Sequence, residues 1–148
     1  MTAGYLLDLF IINQIRKENL GASIASDVKF DLDRQDGHLL KEIGKMLIDV
    51  ADGKRPGVFC KHKQYDRNIG EKHDENLIEV IYRLYLRHKE LWDLEDLRRD
   101  KKNSDRSRLE CCDRVSVANK KRNDLVENID IIINNRLKQS KLWGTTTE

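Results

Sequence analysis

Two long amphipathic segments, separated by a turn of four residues, constrain the fold of this chain more than any other feature. The predicted segments cover residues 74–100 and 105–138, and the turn between them reads Lys-Lys-Asn-Ser. Apolar residues recur in both at intervals of three and four, which is the period of an amphipathic α-helix. The predicted inward face of the second segment begins with Leu109, Cys112 and Ser116. Because so short a turn reverses the chain direction, the sequence predicts an antiparallel hairpin, and Ser104 is expected to cap its second helix.

The N-terminal half predicts two further helices. The first is expected from Ala3 to Leu20 and ends at Gly21, where glycine favours a helix C-terminus. Its expected inward face consists of Leu6, Leu9, Phe10, Ile12 and Asn13. Residues 22–35 show no clear period and predict a polar connection. The second helix is expected from an N-cap at Asp36 to Gly53. Its apolar stripe consists of Leu40, Ile43, Leu47 and Val50.

The sequence therefore predicts an all-α fold, a four-helix bundle with a long C-terminal antiparallel hairpin. We expect one domain over residues 1–148, with an irregular loop at about 53–73 and a tail at about 140–148. Hydrophobic residues make up 39% and charged residues 36% of the chain, and a single proline argues against a β-sandwich. The net charge of +2 with both signs interspersed does not favour a nucleic-acid partner.

Two features bear on localisation. No apolar run is long enough to cross a bilayer, and Asp8 interrupts the apolar start, which predicts a core helix rather than a signal peptide or membrane insertion. The three cysteines are Cys60, Cys111 and Cys112, an odd number with two adjacent. This pattern favours reduced thiols and a cytoplasmic protein.

A polar layer is expected in the middle of the hairpin. In the predicted register, His88 faces Asn119, Arg122 lies nearby, and Glu95 follows toward the turn. Burying any of these groups unpaired would cost about 1–3 kcal/mol, so we expect Glu95, Asp96, Asn119 and Arg122 to form one hydrogen-bonded network. The alternative is that Arg122 pairs with another helix, for example with Asp8 or Glu42. The candidate ligand-binding residues are Trp92, which would cover one side of the network, with Glu95, Asp96, His88, Asn119, Arg122 and Asp124.

These residues carry a resemblance. The hairpin resembles a bacterial all-helical family of unknown function whose members carry a Trp-x-x-Glu-Asp motif on one helix and an Asn-x-x-Arg-x-Asp-x-x-Glu-x-Ile-Asp motif on the next. The matching positions are Trp92, Glu95, Asp96, Arg99 and Asp100, then Asn119, Arg122, Asp124, Glu127 and Asp130. The resemblance spans residues 82–132, about a third of the chain. It implies a helical bundle in a bacterial cytoplasm, often encoded near cell-surface polysaccharide genes.

Two other patterns suggest chemistry less strongly. Glu90 with Asp93 and Glu127 with Asp130 are i,i+3 carboxylate pairs that would suit magnesium if they faced each other. The predicted register places them far apart, so we expect solvated ion pairs and no metal site. Four residues separate Arg83 from His88, as in a family of helical ribonucleases, but this spacing is common by chance in a chain with 28 basic residues.

Residues 54–73 provide the remaining candidates. Cys60, His62 and His73 could bind zinc, although a Cys-x-His pair is not a usual chelate. A basic set with interleaved aromatics could bind phosphate or a single strand, and a solvated loop is the simpler interpretation. This set consists of Lys54, Arg55, Lys61, Lys63 and Arg67 with Phe59 and Tyr65.

The resemblance, together with the lack of a convergent catalytic set, implies a non-enzymatic interaction or accessory protein linked to cell-envelope glycan assembly, and enzymatic activity stays open. The alternative is an enzyme or binding protein for a phosphorylated small molecule, a nucleotide or nucleotide sugar, with a metal ion as an option. We expect no cofactor. We also expect a protein partner or a homodimer formed through the C-terminal helix, because its apolar stripe exceeds the intrachain cover. The excess residues are Ile129, Ile131, Ile132, Ile133, Leu137 and Trp143.

Overall fold

The structure, a computed structural model, consists of four α-helices over the residues it describes, 1–21, 26–54 and 76–143. They are α1 (Ala3–Leu20), α2 (Ser26–Ala51), α3 (Leu77–Arg99) and α4 (Asp105–Trp143). Those three ranges contain no strand, so the predicted all-α fold is confirmed. None of their helices has the length and hydropathy of a membrane span.

Capping side chains explain where three of the helices begin. The Thr2 hydroxyl accepts a hydrogen bond from the Tyr5 amide (3.2 Å), and the Asn76 side chain accepts one from the Ile78 amide (3.0 Å). The predicted cap at Ser104 is confirmed, because its hydroxyl accepts from the Ser107 amide at 3.2 Å. Each cap satisfies a backbone donor that has no partner within the first helical turn.

The second helix begins earlier than the sequence predicts. α2 starts at Ser26, so the expected polar connection over residues 22–35 is largely helical, and Asp36 lies inside the helix rather than at its N-cap. Asp36 is buried because α1 supplies its partners: Lys17 Nζ lies 2.6 Å from Asp36 Oδ2, and Gln14 Nε2 lies 2.6 Å from the same atom. A carboxylate satisfied by a neighbouring helix does not need the backbone amides of an N-terminus.

Gly53 ends α2 as predicted. It has a φ of 73°, and the Lys54 amide donates to the Asp49 carbonyl while the Gly53 amide donates to the Val50 carbonyl. These two bonds form a Schellman motif, in which glycine adopts the left-handed conformation at low cost. Most of the predicted loop at 53–73 lies outside the described residues, as do residues 144–148 of the predicted tail.

Two apolar clusters hold the bundle together. The larger joins α1, α3 and α4, and its buried members are Ile11, Ile15, Val80, Leu84, Ile129 and Ile132. The smaller joins α1 to α2, and its buried members are Ala3, Leu6 and Met46. α3 and α4 form the antiparallel hairpin, and α1 packs against both of them as well as against α2. α1 and α4 therefore each contact all three of the other helices.

The predicted inward face of α4 is wrong in its first half. Leu109 is 67% exposed and Cys112 and Ser116 are exposed, whereas Cys111 and Ala118 are buried. The buried positions in this half lie one residue before the predicted ones, so the predicted stripe is out of register with the packed face of α4. Similarly, Leu40 of the predicted α2 stripe is 54% exposed.

Only some of the apolar residues predicted to lie uncovered at the end of α4 do so. Ile129 and Ile132 are 0% and 4% exposed because they pack into the larger cluster with α1 and α3. They are covered within the chain and are not available to a partner. Ile131, Ile133 and Leu137 are half-buried.

Candidate functional site

A buried carboxylate connects three helices at the centre of the bundle. Asp8 of α1 is fully buried, and its Oδ1 lies 2.6 Å from His88 Nε2 of α3. Arg122 of α4 donates from Nε to Asp8 Oδ1 (2.9 Å) and from Nη2 to Asp8 Oδ2 (2.5 Å). The guanidinium and carboxylate thus form a two-pronged pair, the geometry in which arginine binds a carboxylate most strongly.

The electrostatics of this cluster keep Asp8 ionised. Burial acts to raise the pKa of Asp8, but hydrogen bonds from His88 and Arg122, and their charges, outweigh it and hold the pKa below its ordinary value. The hydrogen bond to Asp8 in turn raises the pKa of Arg122. A fixed ion pair at this point orients the imidazole of His88, because one ring nitrogen is held against Asp8.

His88 also lines a cavity between α1 and α3. The cavity has a volume of about 200 Å³. Its walls consist of Ile12, Ile15, His88, Leu91, Trp92, Glu95, Asp96 and Arg99. It thus combines an aromatic side chain, two carboxylates and a guanidinium above an apolar base, a mixture typical of small-molecule sites.

The structure brings some of the predicted site residues together and separates others. His88, Trp92, Glu95 and Asp96 share this cavity, and Arg122 reaches His88 through Asp8. In contrast, Asp124 is exposed on α4, and Asn119 is half-buried one turn before Arg122.

The predicted network between Glu95 and Arg122 is wrong. Glu95 pairs on its own helix with Arg98 (2.7 Å) and Arg99 (3.6 Å). Arg122 is already bound to Asp8, which is the alternative that the sequence left open. Helix neighbours three or four residues apart are within easy reach, whereas Arg122 lies too far along the hairpin.

The remaining carboxylate candidates are satisfied in other ways. Glu90 pairs with Arg87 on the same helix. Asp130 is buried and accepts a hydrogen bond from the Gly4 amide at 2.7 Å. Within residues 1–21, 26–54 and 76–143, no group of three or more His, Cys, Asp or Glu side chains is placed to hold a metal ion.

Several residues that the sequence suggests as site members lie outside the described residues. The proposed zinc ligands Cys60, His62 and His73 lie outside the described residues, as does the basic and aromatic set except Lys54. Lys54 pairs with Asp52 at 2.8 Å. Cys111 and Cys112 are both free thiols, but Cys111 is the buried one, which reverses the expectation that Cys112 lies in the core.

Sequence reasoning missed four residues of the cavity wall, Ile12, Ile15, Leu91 and Arg99, as ligand-site members. It placed Ile12 on the inward face of α1, and nothing in a single sequence separates a core residue from a cavity-lining one. Asp8 carried a usable signal, because an isolated carboxylate inside an apolar helix face must find a buried cation.

The comparisons with known proteins concern the hairpin. Residues 78–148 match a family model described as "Protein of unknown function (DUF4254)". The match includes nearly all of α3 and all of α4, and α1 with Asp8 lies outside it. It agrees with the resemblance noted from sequence, which also lies in the hairpin and also points to a family of unknown function. No curated protein matches the chain, and no solved structure matches it.

Proposed function

We propose that this chain is a non-enzymatic binding protein whose ligand is a sugar, held in the cavity formed by Trp92, Glu95, Asp96 and Arg99 above His88. The observation that carries the proposal is the composition of that cavity, in which an indole lies with two carboxylates and a guanidinium. Its volume of about 200 Å³ is below the roughly 300–1,000 Å³ of sites for drug-sized ligands, so it suits a single ring.

The chemistry of the lining fits a sugar in two respects. The indole of Trp92 presents a broad apolar face, which can cover the carbon-bound hydrogens of a sugar ring. Carboxylates accept hydrogen bonds from hydroxyl groups, and a guanidinium donates to hydroxyl or phosphate oxygens. Among the described residues, the Asp96 side chain has no hydrogen bond or ion pair, so both of its oxygens are available to a ligand.

His88 contributes a fixed polar group to the wall of the cavity. Since Asp8 and Arg122 hold one edge of the ring in place, the imidazole is preorganised, and binding does not have to restrict its motion. A preorganised site of this kind serves binding without requiring a chemical step. This supports a binding role for the cluster at the junction of α1, α3 and α4.

The wider setting that we propose is the bacterial cytoplasm, with the protein acting as an accessory factor in cell-envelope glycan assembly. The resemblance of the hairpin supports the link to glycans, and a sugar-binding cavity is consistent with it. The free thiols of Cys111 and Cys112 fit a reducing compartment.

Calorimetric titration with neutral monosaccharides, nucleotide sugars and nucleotides tests the proposal. We expect at least one sugar-containing compound to bind, and Asp96→Asn to weaken it about tenfold by removing a charged acceptor. Asp93→Asn is the matched control, because Asp93 is exposed on the same helix and is not part of the cavity wall. No binding by any compound, or an equal effect of both substitutions, would contradict the proposal.

The second candidate function is an enzyme acting on a phosphorylated small molecule such as a nucleotide sugar. The distance of 2.6 Å between His88 and Asp8 favours it, because a carboxylate that orients a histidine is a common arrangement in general acid–base catalysis. Arg99 in the same cavity would bind the phosphate. Turnover of a bound nucleotide sugar that is lost in His88→Gln, with binding retained, would favour the enzyme over the binding protein.

The proposal includes a homodimer through the end of α4. Its support is that α4, with 39 residues, is longer than α3, with 23, so the helix outruns its hairpin partner. Half-buried Ile131, Ile133 and Leu137 lie on that part of α4. Sedimentation at micromolar concentration should give the mass of two chains, and a monomer would contradict this part of the proposal.

A further inference from the structure

A second cavity lies between α1 and α2, next to the sugar cavity. Its volume is about 560 Å³, within the range of about 300–1,000 Å³ typical of small-molecule sites. Leu9, Ile12 and Leu39 give it an aliphatic surface. Ile12 also lines the sugar cavity, so one side chain of α1 separates the two spaces. Asn13 and Gln35, joined by a hydrogen bond of 3.4 Å, span the gap between the helices.

Three basic side chains surround this aliphatic surface: Arg16, Arg34 and His38. All three are exposed, and Arg16 and His38 have no ion pair within the described part of the chain. Arg34 has only a long contact with Asp31, 3.5 Å between two exposed groups, which contributes little. Among the described residues, none of those that line the cavity carries a carboxylate.

Two other carboxylates on this part of α2 bind a lysine rather than these arginines. Asp33 and Asp36 are both bound to Lys17, with Nζ–Oδ distances of 2.5 and 2.6 Å. Asp36 also accepts from Asn13 and Gln14. Neither Asp33 nor Asp36 therefore forms an ion pair with Arg16 or Arg34, and these two guanidinium groups remain able to bind another anion.

We propose that this cavity binds an amphiphile with a phosphate head and an aliphatic chain, the phosphate lying against Arg16, Arg34 and His38. Guanidinium groups bind phosphate oxygens through paired hydrogen bonds, and the aliphatic surface removes the chain from water. The sugar cavity differs, because its wall combines an indole and two carboxylates with a single guanidinium. The second site does not depend on the sugar-binding proposal.

Calorimetric titration of the full chain with octyl phosphate tests this site. We expect saturable binding of one molecule per chain. Octyl glucoside has the same chain with an uncharged head, and inorganic phosphate has the head without the chain. Each should bind at least about tenfold more weakly, because each lacks one of the two contributions. Equal binding of either control compound, or no binding of octyl phosphate, would overturn the proposal.

Substitution of the two arginines locates the site. Arg16→Gln with Arg34→Gln should weaken octyl phosphate by about tenfold or more. The matched control is Arg114→Gln with Arg136→Gln, which removes the same charge from exposed positions on α4 and should leave the affinity unchanged. Equal weakening by both pairs would mean a general charge effect and would overturn the assignment.

A flotation experiment separates a free amphiphile from a membrane surface as the source of the phosphate head. We expect vesicles of phosphatidylcholine containing phosphatidic acid not to retain the chain, because the cavity accommodates a single molecule between two helices. Retention on these vesicles without binding of octyl phosphate would overturn the proposal.

Discussion

The guanidinium of Arg122 donates two hydrogen bonds to the fully buried carboxylate of Asp8, a residue 114 positions earlier in the chain. The pair fixes α1 against α4, and His88 extends the contact to α3. Burying this ion pair costs the desolvation free energy of both charges. The attraction between the charges offsets that cost only when every hydrogen-bond partner is present. The position of α1 between the two candidate cavities therefore depends on this cluster.

Asp8→Asn should destabilise the fold by about 3 kcal/mol, because Arg122 and His88 would lose the carboxylate that they both contact. Urea denaturation measures the change. The exposed Asp93→Asn should change stability by less than about 0.5 kcal/mol.

The same pair should be strongly non-additive. Arg122→Leu alone should also destabilise, since it leaves the buried Asp8 with His88 as its remaining side-chain partner. Asp8→Leu with Arg122→Leu should cost less than the two single changes summed, because apolar pairs often replace buried ion pairs at little cost. Additive losses would show that the pair is not coupled.

Asp130 should respond to pH with the opposite sign to Asp8. Burial raises the pKa of Asp130 despite hydrogen bonds from Thr2 and the Gly4 amide, and Glu127 raises it further. A carboxyl group whose pKa is raised in the folded state lowers the free energy of unfolding once it is ionised. This loss of stability is absent below the unfolded-state pKa and complete above the folded-state pKa. Asp8, with its lowered pKa, stabilises at neutral pH and loses that contribution as pH falls through its folded-state value.

Asp130→Asn should therefore be neutral or stabilising at pH 7, since the amide oxygen can still accept from Gly4 and no charge is buried. Its advantage over the natural chain should shrink as pH is lowered toward about 4, the ordinary value of an aspartate. Melting temperatures of the two proteins across this pH range measure the effect. A loss of stability at pH 7 as large as that of Asp8→Asn would contradict it.

Three glycines in helices should respond differently to alanine. A Cβ at Gly4 would lie 2.5 Å from the Val126 carbonyl oxygen and 3.1 Å from the Asp130 carboxylate. Gly4→Ala should therefore destabilise by about 1–3 kcal/mol through forced separation of α1 and α4. Among the described residues, a Cβ at Gly37 or Gly44 of α2 would meet no atom within 4 Å beyond its chain neighbours and its own helix backbone, so alanine should stabilise each by about 0.5–1 kcal/mol. Thermal denaturation of the three variants gives the comparison.

The hairpin and α1 could be predicted because their signals are local. Ser104 and Gly21 mark helix ends, and the apolar period persists over many turns in α3 and α4. The start of α2 could not, because residues 26–35 carry too few apolar residues for a clear period. Asp36 had the residue type of an N-cap, and only its contact with Lys17 of α1 explains its burial within a helix.

The candidate site was predictable to a similar extent. His88, Trp92, Glu95 and Asp96 lie on one helix at spacings that place them near each other, and the structure finds them around one cavity. The partner of Arg122 depends on how α1 packs against α4, which spacing within the hairpin does not determine. Asp8 was therefore only one of two alternatives, and Glu95 was wrongly preferred.

Fluorescence of Trp92 tests the central claim, that a sugar occupies its cavity, most directly. The chain has two tryptophans, so Trp143→Phe leaves Trp92 as the only indole. Titration of this variant with the sugars and nucleotide sugars that bind by calorimetry should change its emission saturably, with the same affinity. Adding Asp96→Asn should weaken the affinity obtained from the emission about tenfold, and adding Asp93→Asn should leave it unaltered. Binding that leaves the emission of Trp92 unchanged would contradict the account.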